Sequence, residues 1–401
     1  MDWQTSEDTV AARPVTDADA RSLVGKPPAS GAWREGDPVG DRSFVGIGTL
    51  TTEAGVPVPG ARIAYETWGV LDADRSNAVL VCHALTGDPH LIGPPGPGQP
   101  TEGWWDGIVG PGLALDTDRW FVVAPNVLGG CAGTTGPASL APDSAEWGGR
   151  FPYLTIRDQV AAQLAFADAL GIARWAAVVG GSMGGMHALE WAVTAPERVE
   201  RLAVLAAPAA SSADQVALNS VQTEAVRADP RFRGGDYYGA VDGDGPHRGL
   251  ALARRMALLS YRSAGELNGR FGRSWQSGVS PLGHHGRFAV ESYLDFHGNR
   301  FTRRFDANSY IRLVDAMSSH DVGRDRGGVQ AALARYGGPA LVLAIDSDRL
   351  YPVADQQVLA RGLRGALDGR EPTLLQSDFG HDGFLIERDA VGSALRRLLD
   401  A

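Results

Sequence analysis

The run Gly180-Gly181-Ser182-Met183-Gly184-Gly185 constrains this chain more than any other stretch. It follows a short apolar, partly β-branched run, Trp175–Val179, and precedes a helical pattern from Met186 to Ala195. A strand that ends on glycines and turns at once into a helix leaves no room for Cβ atoms at the turn, and glycine accepts the strained backbone angles required. One serine is left at the tip of the turn. Its hydroxyl is exposed, and the amide end of the next helix lies beside it, where developing negative charge is favoured. G-x-S-x-G, read as Gly180, Ser182 and Gly184, predicts a nucleophilic serine in this strand–turn–helix setting. The pattern alone says little in a chain with 52 glycines, so the setting carries the inference.

Such a turn needs a sheet behind it. Strand-like runs occur at Ala61–Trp68, Ala78–Cys82, Trp120–Ala124, Trp175–Val179, Leu202–Leu205, Leu341–Ile345 and Pro372–Leu375. Several are continuously apolar rather than alternating, as expected of strands covered on both faces. Thr155–Leu170 reads as an amphipathic helix, with Ile156, Val160, Leu164 and Ala167 at helical spacing. Thr155 followed by Asp158 three residues on resembles a capping box. Strands alternating with helices predict an α/β chain with a mostly parallel sheet and helices on both faces.

The alternation fails between about 211 and 330. Asp214–Ala228, Gly249–Ser260 and Ser309–Ser318 read there as helices, with no buried strand between them. Three divisions follow: a polar arm over residues 1–42, rich in Pro, Gly and Asp and expected to be poorly ordered; a core over 43–210 and 331–401; and a helical insertion over 211–330. The insertion is expected to act as a lid that excludes water, and the plainer alternative is a helical subdomain that adds only core or an interface.

A serine nucleophile needs a base, and the base needs an orienting carboxylate. The turn at Ser182 resembles the nucleophile elbow of the α/β-hydrolase fold, in which the chain order is Ser, then Asp or Glu, then His. His381, in Gly380-His381-Asp382-Gly383-Phe384 near the C-terminus, is the candidate base. Asp346 and Asp348 both follow the run Leu341–Ile345. Period-two alternation turns them to the same side, so spacing does not choose between them. The oxyanion hole calls for the N–H of Met183, just after the nucleophile, and one from the loop His83–Asp88, where Leu85 is the candidate. His83 is read as a packed residue that fixes that loop. Cys82 and Cys131 lack a glycine-flanked turn and are not read as nucleophiles; two cysteines make no disulfide framework, which suits reduced thiols.

Composition excludes several functions. The net charge of −10 leaves no broad basic surface for nucleic acid or an anionic membrane, so an anionic ligand must meet locally placed arginines. Lys26 is the only lysine, and arginine supplies the remaining positive charge. No stretch approaches the roughly 18 apolar residues of a membrane span. The acidic N-terminus has no apolar segment of a secretory signal, and a cytoplasmic location is expected. No metal-ligand cluster is read from the sequence.

The residues resemble the homoserine O-acetyltransferase family from about Phe44 to Leu399. The blocks that carry this are Ala64–Gly69, His83–Asp88, Gly103–Gly112, Asn126–Cys131 with Thr135–Pro137, Thr155–Asp158 and Gly180–Met186. Further on come Tyr261–Ser263, Glu291–Leu294, Phe305–Tyr310, Ser347–Pro352 and Gly380–Leu385. The resemblance implies Ser182 as nucleophile, His381 as base and Asp348 as acid. It also implies an amino-acid site made by Arg254, Tyr261 and Asp382, with Arg255 adjacent to Arg254 and hence a competing placement. It implies acetyl-CoA as co-substrate, no permanently bound cofactor, L-homoserine as acceptor, a place in methionine biosynthesis, and a homodimer formed through the lid. The family's Cys-Gln-Gly-Ser-Thr-Gly-Pro reads Cys131-Ala132-Gly133-Thr134-Thr135-Gly136-Pro137 here, so a glutamine of that loop is missing. Rival readings are succinyl-CoA or serine in place of the expected substrates, a plain serine esterase of the same fold, and a non-catalytic binding protein on that scaffold.

Overall fold

Short apolar runs with alternating sides become strands buried on both faces. A computed structural model describes residues 23–283 and 285–401. Ten strands occur among them: β1 Ser43–Thr51, β2 Pro57–Trp68, β3 Ala78–Cys82, β4 Val109–Gly110, β5 Leu115–Asp116, β6 Phe121–Pro125, β7 Ala177–Gly181, β8 Leu202–Leu205, β9 Ala340–Ile345 and β10 Thr373–Leu375. Eight form one sheet in the order β1-β2-β6-β3-β7-β8-β9-β10, while β4 and β5 pair with each other. The ladders β1–β2 and β2–β6 are antiparallel, and every ladder from β6 to β10 is parallel. The expected α/β architecture with a mostly parallel sheet is therefore the observed one.

Alternation divides the core between the two faces. Val79, Val81, Val179, Ala203, Leu205, Leu341, Leu343 and Ile345 lie in one cluster, with helix residues Val391, Leu395 and Leu398. Leu80, Val178, Leu202, Val204 and Val342 lie in the other, with Val160, Phe166, Met186, Leu189 and Trp191. The first described helix, α1 (Ile156–Ala169), starts at Thr155, whose hydroxyl accepts from the Asp158 N–H while the Asp158 carboxylate accepts from the Thr155 N–H. This is the capping box expected from the sequence, and it satisfies two donors the helix cannot satisfy itself. Helix α2 (Met183–Thr194) is wholly buried from Met183 to Val193.

Between β8 and β9 the chain makes α3 (Ala213–Arg227), α4 (His247–Tyr261), α5 (Ala264–Phe271), α6 (Ala289–Phe301), α7 (Ala307–Ser318) and α8 (Val329–Leu333). Helices α9 (Val353–Gly362), α10 (Gly383–Ile386) and α11 (Arg388–Leu399) follow. The expectation of a poorly ordered arm falls in part on residues 1–22, outside the described residues. Residues 23–42 lie against both the helical segment and the core: Gly31 N–H donates to the Phe305 carbonyl at 3.3 Å and Ser30 Oγ to Asp306 at 2.7 Å, while Trp33 N–H donates to the Cys131 carbonyl at 2.9 Å and Arg42 to the Gly98 carbonyl at 2.6 Å. No described helix is long and apolar enough to cross a membrane.

Candidate active site

Four loops that could carry chemistry leave the carboxyl ends of parallel neighbours, where open α/β sheets place their ligands. Cys82 at the end of β3 pairs with Gly180 of β7, so the loop His83–Asp88 and the turn at Ser182 emerge side by side. On the other flank, β9 delivers Asp346 and Asp348, and β10 delivers the loop to His381.

The turn itself is strained. Ser182 has φ 59° and ψ −125°, an arrangement that L residues rarely adopt. It is held by its own N–H, which donates to the Leu205 carbonyl at 2.9 Å. Glycine is required on both flanks by contact: a Cβ on Gly180 would strike the backbone of Gly184, and one on Gly184 would strike the carbonyl of Cys82. The strain leaves Ser182 pointing at His381.

His381 Nε2 lies 2.8 Å from Ser182 Oγ, and its Nδ1 lies 2.7 Å from Asp348 Oδ2. The carboxylate can only accept, so Nδ1 carries the proton and Nε2 is left to accept from the serine. Asp348 is in turn oriented by the N–H groups of Leu350 and Tyr351, which donate to its Oδ1 at 2.8 and 3.0 Å. All three residues are buried, Ser182 included, so the exposed hydroxyl expected of the turn is instead covered by the elements packed around it. Burial opposes charging His381, but the adjacent Asp348 outweighs it, with help from Asp382, and the imidazole pKa is raised above its ordinary value. Tyr351 and Phe384 stand edge-on to the His381 ring at 5.1 and 5.6 Å. The aspartate ambiguity resolves geometrically: Asp346 accepts from the Ser377 N–H at 3.0 Å, a bond within the loop framework, and only Asp348 meets His381.

Met183 opens α2, so its N–H has no acceptor in its own helix. Among the described residues neither Met183 nor Leu85 donates its N–H to a protein acceptor. The Leu85 loop is pinned by His83, whose Nδ1 faces the Ala84 carbonyl at 2.8 Å and whose Nε2 accepts from the Val127 N–H at 3.1 Å. Burial holds the pKa of His83 below its usual value, consistent with a neutral, packed histidine. Burial pushes the Cys82 and Cys131 thiols up to about 12, which removes them as nucleophiles.

The helical segment meets this machinery along the second half of α4, from Arg254 to Tyr261. Arg254 Nη1 donates to Thr86 Oγ1 at 3.2 Å, and its guanidinium lies 5.6 Å from the Tyr261 ring and 5.1 Å from that of Phe301. Arg255 turns away to pair with Asp295 at 2.8 Å, so Arg254 is the arginine brought to the site. The Tyr261 ring lies 5.8 Å from that of His381, and burial pushes its hydroxyl up to about 12. Asp382 follows His381 directly and pairs with Arg262 Nε at 3.3 Å. Thr86, Arg262 and Arg304 were not singled out from the sequence. Thr86 and Arg262 do lie inside blocks already noted, while Arg304, whose Nη1 donates to the Thr86 carbonyl at 3.0 Å, carries no local signal.

Comparison with known proteins places the arrangement. A family profile described as alpha/beta hydrolase fold matches residues 77–386. The chain is 72% identical over 386 residues to the homoserine O-acetyltransferase of Clavibacter michiganensis subsp. michiganensis, covering 96% of this chain and 99% of that protein. Among solved structures it is similar to the homoserine O-acetyltransferase from Bacillus anthracis, with a TM-score of 0.79 and 27% identity over 90% of this chain and 97% of that one. It is equally similar to esterase E22, with a TM-score of 0.80 and 27% identity over 89% of this chain and 99% of that one.

Proposed function

The chain belongs to the homoserine O-acetyltransferase family, acyltransferases of the alpha/beta hydrolase fold, and from that premise we propose that it carries acetyl from acetyl-CoA to the hydroxyl of L-homoserine through an acetyl-Ser182 intermediate. The observation that carries this reading is the line from Ser182 Oγ through His381 to Asp348, with Arg254 anchored on Thr86 one residue beyond Leu85.

In the first half-reaction His381 takes the Ser182 proton as Oγ attacks the thioester carbon. The C–O bond forms, the C–S bond breaks, and the proton passes from His381 to the departing thiolate. Leu85 and Met183 N–H groups receive the tetrahedral oxyanion; loss of one such donor typically costs about 3–4 kcal/mol of barrier. In the second half-reaction the homoserine hydroxyl attacks the acetyl carbon, gives its proton to His381, and Ser182 leaves and recovers that proton. Arg254 pairs with the acceptor's carboxylate beside Tyr261, and Asp382 with its ammonium. Two held charges fix the hydroxyl near the acyl carbon, an effective-concentration gain water does not share. Residues 211–330 act as a lid over this step, and the same region forms a homodimer interface. The reaction belongs to methionine biosynthesis in the cytoplasm and needs no permanently bound cofactor.

The similarity to esterase E22 favours one competitor, hydrolysis. Thiol release from acetyl-CoA, followed with and without L-homoserine, separates the two. Transfer predicts homoserine-dependent release with stoichiometric O-acetylhomoserine, whereas equal release without an acceptor supports an esterase. Succinyl-CoA and L-serine, offered in turn, test the donor and the acceptor.

A further inference from the structure

Three guanidiniums converge where the proposed acceptor needs only one. A cavity of about 190 Å³ is lined by Thr101, Arg254, His297, Arg300, Phe301 and Arg304, with no carboxylate among them. Neighbouring arginines are occupied: Arg255 pairs with Asp295, and Arg303 donates to the carbonyls of Leu23 and Gly25 at 2.8 and 2.6 Å. Among the described residues, Arg254, Arg300 and Arg304 form no ion pair, although the chain carries a net charge of −10. Their crowding is felt locally. Burial first, then Arg254, Arg262, Arg300 and Arg270, push His297 down to about 4. Burial first, then Arg254 against an opposing Asp88, push Arg304 down to about 10. An anion in the cavity would offset the arginine part of both shifts, though not the part due to burial.

Arg300 lies in the last turn of α6 and is exposed, and Arg304 follows just beyond the end of that helix. Arg304 and Arg254 both reach Thr86, so the cavity adjoins the loop of Leu85. The larger neighbouring cavity, about 260 Å³, shares Thr101 and Arg304, but there Asp37, Glu66 and Asp88 stand against Arg42, Arg303 and Arg304, so it lacks the unopposed positive charge of the smaller one. Homoserine brings one carboxylate, already matched to Arg254. Acetyl-CoA brings phosphates, which guanidinium forks match in geometry. We propose that Arg300 and Arg304 bind a phosphate group of the CoA donor, an inference that rests on the acetyl-CoA reading above.

The test compares acetyl-CoA with acetyl-pantetheine, a thioester donor without that phosphate array, in Arg300→Ala, Arg304→Gln and Arg300→Lys. Loss of one charge-assisted contact predicts that kcat/KM for acetyl-CoA falls about ten-fold or more beyond any fall for acetyl-pantetheine, with partial recovery in Arg300→Lys. Equal loss on both donors, or a rise in the homoserine KM in place of a donor effect, overturns the inference while leaving the acetyltransferase reading intact. Wild-type protein that transfers acetyl to homoserine from neither donor overturns that reading and this inference with it.

Discussion

The two halves of the site are built on opposite terms. The sheet-borne half, Ser182, His381 and Asp348, is buried and closed: each polar atom that matters is met by another residue at 2.7–3.0 Å. The helix-borne half, Arg254, Tyr261 and the arginines around His297, is crowded with charge and left open. On the proposed mechanism the closed half makes the acyl-serine, the step that transfer and hydrolysis would share. The open half has charge to spend on incoming substrates. On this account, what the acyl group meets next is decided by the helices and not by the sheet.

Changes in the closed half have the largest expected effect. Ser182→Ala and His381→Ala should each lower kcat by on the order of 10⁴-fold or more, and Asp348→Asn by about 10⁴-fold, in steady-state thiol release. Asp346→Ala supplies the contrast. It loses one loop hydrogen bond, about 1 kcal/mol in denaturant unfolding, while kcat persists.

In the open half, Arg254→Ala should raise the homoserine KM by about 10–100-fold, as expected for a lost charge-assisted contact. Its effect on acetylation of the enzyme, read by rapid mixing without acceptor, should be much smaller. Loss of both half-reactions to the same extent would erase the division between the halves. Arg255→Ala, facing Asp295, should leave the homoserine KM near the wild-type value.

The pH profile sharpens the boundary. Only neutral His381 can take the serine proton, and its pKa is raised, so activity should fall as pH drops through a value above the roughly 6.5 of free imidazole. Asp382 contributes to that rise, so Asp382→Asn should move the acid limb of kcat/KM for acetyl-CoA to lower pH. An unmoved limb would mean that the two residues do not communicate. The smallest effect is expected far from both halves: Thr155→Ala removes the cap of α1 and should cost about 1 kcal/mol in stability without changing kcat.

Much of the closed half was legible in the sequence because short-range chemistry writes it. Gly180 and Gly184 are demanded by backbone contact, and β3, β8 and β9 are continuous apolar runs whose ends fall within a residue of expectation. Strand β1 was not legible: its Ser43–Thr51 sequence carries two glycines, no residue of it is fully buried, and register shifts at Gly46/Gly48 and Gly48/Leu50 break the alternation of Val45, Ile47 and Leu50. Helices α5 and α6 were missed as helices because glycine, histidine and aromatic residues dilute their pattern. Asp346 could not be told from Asp348, nor Arg254 from Arg255, because which neighbour meets a partner is decided by tertiary packing. Arg304 was invisible for the same reason: its relation to Thr86 spans 218 residues.

The central claim is an acyl group that forms on Ser182 and leaves on an amino-acid hydroxyl. Intact-mass measurement of the protein mixed with acetyl-CoA alone tests it directly. The account predicts one added acetyl mapped to Ser182, lost on addition of L-homoserine and absent in Ser182→Ala. An enzyme that acquires no acetyl group, while Ser182→Ala retains full transferase activity, would contradict it.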